Sequence, residues 1–150
     1  MLSRSVQANK TTDVFDSHEK SLKYSLLNYS YNPNGVCGSC AAAIFLRYWS
    51  DHINSKYVSS NLKTSDGVKL IKYLIPYNEG KPYVDPNINS PGTSPASLTS
   101  GIQNYLKGRG VTDTMHVEPI NFSRVSERIS NNRPLIVGLF KAAGNPYGNH

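Results

Sequence analysis

The two cysteines of the chain, Cys37 and Cys40, stand three residues apart in the segment 37–40 (CGSC). The residues that follow, 41–53 (AAAIFLRYWSDHI), predict a long helix, because alanine favours helix and neither Pro nor Gly interrupts them. A cysteine at a helix N-terminus meets the positive end of the helix dipole and free backbone N–H groups, which favour the thiolate. The same N–H groups can stabilise an oxyanion formed when a thiolate attacks a carbonyl. The segment therefore predicts a nucleophile, with small cysteines packed beneath a helix as the alternative.

A cysteine nucleophile needs a base within hydrogen-bond reach, and in cysteine enzymes a histidine distant in sequence usually supplies it. His150 is the candidate base, because it follows an apolar run, 135–140 (LIVGLF), and a Gly-containing loop that could carry it to the cysteine helix. The alternative interpretation of His150 is a frayed chain end. The remaining histidines are weaker candidates: His18 in a polar arm, His52 far along the helix, and His116 on a predicted strand.

Three stretches together resemble the papain-like cysteine peptidases, most closely the bacterial branch related to bacteriocin-processing (double-glycine leader) peptidases. Residues 34–49 (NGVCGSCAAAIFLRYW) resemble the nucleophile helix of that branch, CG-x-x-A-A-A followed by L-x-Y-W. Residues 133–139 (RPLIVGL) resemble the strand before the family's catalytic histidine, and 148–150 (GNH) stand at its G-x-H. The resemblance covers residues 34–49 and 132–150, and the middle of the chain shares only its helical character.

The resemblance implies an enzyme that hydrolyses peptide bonds, with a peptide or protein as its substrate and with no metal or organic cofactor. His150 would deprotonate the thiol and later protonate the leaving amine. The bacterial branch uses the first cysteine of the motif, which is Cys37 here. Cys40 is the alternative nucleophile, because papain uses the second cysteine of C-G-S-C.

Papain-type enzymes also place an amide side chain shortly before the nucleophile, where it donates to the oxyanion. Asn32 and Asn34 precede the cysteines and are the candidates for this role, although NPNG (32–35) is also a typical turn sequence. The family continues after its histidine with further strands and an Asp or Asn that orients the imidazole. We therefore expect this chain to be truncated after its catalytic histidine.

Other functions fit the same pair of cysteines. C-x-x-C at a helix start is also the arrangement of thiol–disulfide oxidoreductases, although that fold needs an apolar strand before the motif and the lead-in here is 29–35 (YSYNPNG). A peptidase-like binding module without turnover is a third possibility. A structural zinc site is disfavoured, because two cysteines need two further ligands and no histidine pair has the spacing.

Composition narrows the classes of partner. The chain has 150 residues and a formal net charge of +6, but its Lys and Arg residues are spread along it, which argues against a nucleic-acid partner. The longest apolar run, 40–46, has seven residues, whereas a membrane helix needs roughly 18. The Asn- and Tyr-rich composition favours an extracellular or cell-surface bacterial protein. No feature of the sequence indicates a particular oligomeric state.

The elements that must position the candidate residues are helices early in the chain and strands late in it. Helices are predicted at 37–53, 65–74, 95–107 and 122–129, and strands at 114–120 and 135–140. This order predicts an α+β fold, and the resemblance makes it a papain-like fold with the nucleophile helix packed on a C-terminal antiparallel sheet. We expect residues 1–20 to form a polar N-terminal arm and residues 21–150 to form the C-terminally incomplete peptidase domain.

Overall fold

The computed structural model describes residues 20–32, 36–75 and 94–138. Within these ranges the chain forms four α-helices: α1 (Cys37–His52), α2 (Val68–Leu74), α3 (Pro95–Gly108) and α4 (Phe122–Ser130). Two short 3₁₀ turns, Ser55–Tyr57 and Ser60–Leu62, connect α1 to α2. The predicted helices are thus present, with α2 beginning three residues later than expected. Of the predicted N-terminal arm, residues 1–19 lie outside the described ranges.

The prediction of an α+β fold with an antiparallel sheet is wrong. None of the residues in the three described ranges lies in a β-strand. The central helix is therefore packed on other helices and on irregular segments, where the papain-like arrangement would have placed a sheet.

The first predicted strand, 114–120, is an exposed irregular segment held by a helix side chain. Gln103 of α3 donates from Nε2 to the carbonyl oxygen of Asp113 at 2.8 Å, and its Oε1 accepts from the backbone N–H of Met115 at 2.6 Å. One side-chain amide therefore bonds the backbone groups that a partner strand would have bonded. The β-branched Val117, which favoured a strand, is 54% exposed.

The second predicted strand, 135–140, is described as far as residue 138 and is irregular over that part. Ile136 packs against the helical core, and Gly138 lies beside the start of α3, since a Cβ on Gly138 would be 3.7 Å from Cγ of Pro95. An apolar, β-branched run predicts burial but does not supply a partner strand. Here the described part of the run, 135–138, packs against helices and joins no sheet.

Helix α1 is the centre of the packing, and nine of its 16 residues are buried. It contacts the first 3₁₀ turn, α2 and α3. Ala42 and Ala43 are completely shielded from solvent, and their small side chains allow neighbouring segments to approach the helix closely. The helix is apolar nearly all round, which is the pattern of a helix enclosed by its domain.

Several buried polar groups in this core have partners, whereas the indole Nε1 of Trp49 is buried without a hydrogen-bond partner among the described residues. The Tyr105 hydroxyl donates to the carbonyl oxygen of Tyr57 at 2.7 Å, and the Tyr57 ring stacks on Trp49 with a centroid separation of 5.1 Å. The hydroxyl of Ser50, on α1, accepts from the backbone N–H of Val58 at 3.2 Å. These bonds fix the first 3₁₀ turn between α1 and α3. The fully buried apolar side chains of the helices around this turn are Leu46, Leu70, Ile71, Leu74, Ile102 and Leu106.

Helix α4 ends in a Schellman motif, in which the residue after the helix adopts a left-handed conformation. Asn132 has φ of +59°, and the backbone N–H of Arg133 donates to the carbonyl oxygen of Arg128 at 2.8 Å. The side-chain Oδ1 of Asn132 accepts from the backbone N–H of Lys23 at 2.9 Å and from the Tyr48 hydroxyl. The end of α4 is therefore tied both to α1 and to the segment 20–32.

Gly67, the N-cap of α2, allows Tyr29 to pack directly on the backbone. Gly67 has φ of +71°, and a Cβ at this position would lie 2.3 Å from Cδ2 of the Tyr29 ring. Any L-residue there would meet both a left-handed backbone and an aromatic ring. Tyr29 itself is 5% exposed, so its ring has little room to move away.

Replacing Gly67 by alanine should lower the free energy of unfolding by about 2–4 kcal/mol, from overpacking against the ring added to the left-handed backbone. Gly110→Ala is a matched control, because Gly110 has φ of +72° and nothing within 4 Å of its Cβ position. That variant should lose only about 1–2 kcal/mol. Urea denaturation of both variants measures the difference, and equal losses would contradict the contact between Tyr29 and Gly67.

Candidate active site

Cys37 is the first residue of α1 and is half-buried. The N-cap is Val36, whose side chain has no atom that could accept a hydrogen bond from the helix, and the first turn contains no acidic residue. The positive end of the helix dipole is therefore not offset by a side chain of the first turn. An oxyanion placed at this end would be stabilised.

Cys40 lies one turn further along α1, in a different environment. It is 8% exposed, and its Sγ donates to the carbonyl oxygen of Tyr29 at 3.4 Å. Burial raises the pKa of the Cys40 thiol, and the neighbouring Cys37 raises it further. Both cysteines are free thiols. The first is accessible at the start of the helix, and the second is buried and held protonated.

Tyr29 contacts α1 from outside the helix on the side of the buried thiol: its carbonyl is the partner of Cys40, and its side chain meets Arg47. Its hydroxyl accepts from Nη1 of Arg47 at 2.9 Å, and the same guanidinium nitrogen donates to the carbonyl oxygen of Thr64 at 3.0 Å. Burial raises the pKa of Tyr29, and the Arg47 guanidinium partly opposes this shift. Sequence reasoning missed Tyr29, since nothing in LKYSLLNYSY (22–31) distinguishes it from the tyrosines around it.

The structure brings together only part of the predicted site. Cys37 and Cys40 share the first turn of α1, and Asn32 is an exposed residue of the segment that precedes this turn. Asn34 and His150, the second candidate oxyanion donor and the candidate base, lie outside the described residues. The alternative between Cys37 and Cys40 as nucleophile can therefore be judged from their surroundings, whereas the roles of the other residues stay predictions.

His52 and His116 are the two histidines within the described ranges. His52 lies at the opposite end of α1 from Cys37, about 22 Å along the axis. Its ring stacks on Tyr24, with centroids 4.0 Å apart, and meets the edge of Tyr48 at 4.8 Å. The His116 ring lies 3.1 Å from Oγ1 of Thr114. The position of His52 excludes it as a base for Cys37.

Within the described ranges, no three side chains of the His, Cys, Asp and Glu types are grouped closely enough to hold a metal ion. No helix of these ranges has the length and apolar character needed to cross a membrane.

Comparisons of the chain with models of known protein families, with curated proteins and with solved structures find no match.

Cys37 should react with iodoacetamide at least about tenfold faster than Cys40 at pH 8. The thiolate is the reactive form, and Cys40 is buried and has a thiol of raised pKa. Fragment-ion mass spectrometry after short exposures measures the two rates separately. In urea the two labelling rates should converge, since unfolding exposes both thiols equally to solvent. Faster labelling of Cys40 in the native protein would contradict the proposed difference between the thiols.

Proposed function

We propose that this protein is a cysteine peptidase in which Cys37 is the nucleophile. The observation that carries the proposal is the place of Cys37: it is the first residue of a 16-residue helix, it is half-buried, and the N-cap beside it offers no competing acceptor. The resemblance of residues 34–49 and 132–150 to papain-like peptidases supports the same reaction. The proposal concerns this reaction and does not include the sheet of that family.

The proposed reaction begins when the Cys37 thiolate attacks the carbonyl carbon of a peptide bond. The electron pair of the carbonyl moves to its oxygen, and backbone N–H groups at the start of α1 stabilise the resulting oxyanion. Asn32 or Asn34 would add a side-chain donor. His150 takes the thiol proton and gives it to the leaving amine, so that a thioester forms. Water then hydrolyses the thioester and restores the thiol.

Cys40 has a structural role in this proposal. Its thiol is buried against the carbonyl of Tyr29, and its raised pKa keeps it protonated, so it does not compete with Cys37 for the substrate. Cys40→Ala should therefore preserve the reaction while it removes the bond to Tyr29.

A second candidate function is thiol–disulfide exchange, and the geometry of the same turn favours it. A buried thiol of raised pKa one turn beyond an accessible thiol suits a resolving cysteine. In that reaction the Cys37 thiolate attacks a substrate disulfide and forms a mixed disulfide. The Cys40 thiolate then attacks Cys37 Sγ, which leaves a Cys37–Cys40 disulfide and a substrate dithiol.

Cleavage of a defined peptide mixture by the full chain, followed by mass spectrometry, tests the first function. Cys37→Ala should reduce cleavage at least about a thousandfold, and His150→Ala should reduce it similarly, because nucleophile and base act as a unit. Cys40→Ala is the matched control and should keep cleavage within about threefold of the wild type. Thermal melts of the three variants identify any loss that comes from unfolding.

Persistent cleavage in Cys37→Ala would contradict the nucleophile, and cleavage lost only in Cys40→Ala would transfer the role to Cys40. Reduction of insulin disulfides by the wild type and by neither single cysteine variant would instead favour thiol–disulfide exchange, because that reaction needs both sulfurs.

A further inference from the structure

Helix α4 and the turn after it border an open surface cavity of 380 Å³, whose lining is strongly basic and exposed to solvent. Five residues line it: Arg124, Glu127, Arg128, Asn131 and Arg133. Three guanidinium groups and one carboxylate give this lining a net charge of +2. Guanidinium groups present several N–H donors in a fixed plane, which suits the oxygens of carboxylates and phosphates.

The backbone places these arginines together. Arg124 and Arg128 stand four residues apart on α4, a spacing that puts them on one face of the helix. The Schellman motif then turns the chain back, since Arg133 donates its backbone N–H to the carbonyl of Arg128. Sequence reasoning counted these arginines as scattered, because the left-handed turn at Asn132 that returns Arg133 to the helix is not visible in composition.

The arginines differ in what they already contact. Arg124 is paired with Glu118, and the Arg133 guanidinium lies over the Trp49 ring, 5.3 Å from its centroid. Within the described part of the chain, Arg128 is exposed and pairs with no carboxylate. Like charges four residues apart on a helix destabilise it. The C-terminal end of a helix carries about half a negative charge, which offsets only part of this repulsion.

We propose that this cavity is an anion-binding site that takes a phosphate group. Arg128 and Arg133 supply donors to the phosphate oxygens, and the Asn131 amide adds a further donor, while the charge of Arg124 is already paired with Glu118. The cavity is open to solvent, so it admits a phosphate attached to a small organic group as well as free phosphate. This site is independent of the cysteine chemistry, and its test needs no peptidase activity.

Trp49 provides the readout, because it is the only tryptophan of the chain and Arg133 lies over its ring. An anion that binds the Arg133 guanidinium should change the Trp49 emission in a saturable way. We would titrate the full chain with inorganic phosphate and with glycerol phosphate, and in parallel with sodium chloride at matched ionic strength. Tighter binding of glycerol phosphate would indicate a phosphate ester as the ligand, and equal binding would indicate free phosphate.

Arg128→Gln should weaken phosphate binding about tenfold, through the loss of a charge-assisted hydrogen bond. Glu127→Gln should tighten binding, because it removes the negative charge from the lining. Lys107→Gln is the matched control: Lys107 is an exposed cation in the last turn of α3, as Arg128 is in the last turn of α4, and its loss should leave binding unchanged.

A change in Trp49 emission that stays linear with phosphate concentration, or that sodium chloride reproduces, would overturn the proposal. Equal phosphate binding in the wild type and in Arg128→Gln would overturn it as well, provided that thermal melts show both proteins folded. A tenfold loss shared by Lys107→Gln would show that overall charge, and not this cavity, attracts the anion.

Discussion

The packing of Tyr29 against α1 and Gly67 is the contact on which the arrangement of the site depends. Three parts of this residue meet two helices: its carbonyl accepts from the Cys40 thiol of α1, its hydroxyl accepts from Arg47 of α1, and its ring lies on the backbone of Gly67 at the start of α2. Two of these contacts lie on one face of α1, so they determine how the helix is rotated about its axis. Cys40 therefore points into the core, and Cys37 remains at the edge of the first turn.

Helix α1 connects the two proposed sites. Its N-terminal turn holds the cysteines, and its second half carries Trp49, on which Arg133 of the anion-binding cavity lies. The distance along the helix between Cys37 and Trp49 is about 18 Å, so a ligand in one site does not touch the other. The central helix thus serves as a rigid support for both, which is consistent with its burial on nearly every side.

Local signals in the sequence, such as helix propensity, predicted the four helices. Helices α3 and α4 begin at the predicted residues, 95 and 122, where the side chains of Ser94 and Asn121 accept from the backbone N–H groups of Ser97 and Arg124. The prediction of strands was wrong because a strand requires a partner distant in sequence. At the first predicted strand, the side chain of Gln103 bonds the backbone of Asp113 and Met115 instead. The spacing of the two cysteines singled them out as a pair, and the structure places both in the first turn of α1. Tyr29 was missed because its importance comes from contacts with residues 11 to 38 positions away.

The central claim is that Tyr29 makes the two thiols unequal, and the labelling rate of Cys40 in Tyr29→Ala tests it most directly. Circular dichroism would first establish conditions in which the variant and the wild type are equally folded. The variant lacks the ring that packs on Gly67. The backbone carbonyl of residue 29, which accepts from the Cys40 thiol, should therefore no longer be held in place. The account predicts that Cys40 labelling rises at least about tenfold while Cys37 labelling stays within about twofold. An unchanged Cys40 rate in the folded variant would contradict it.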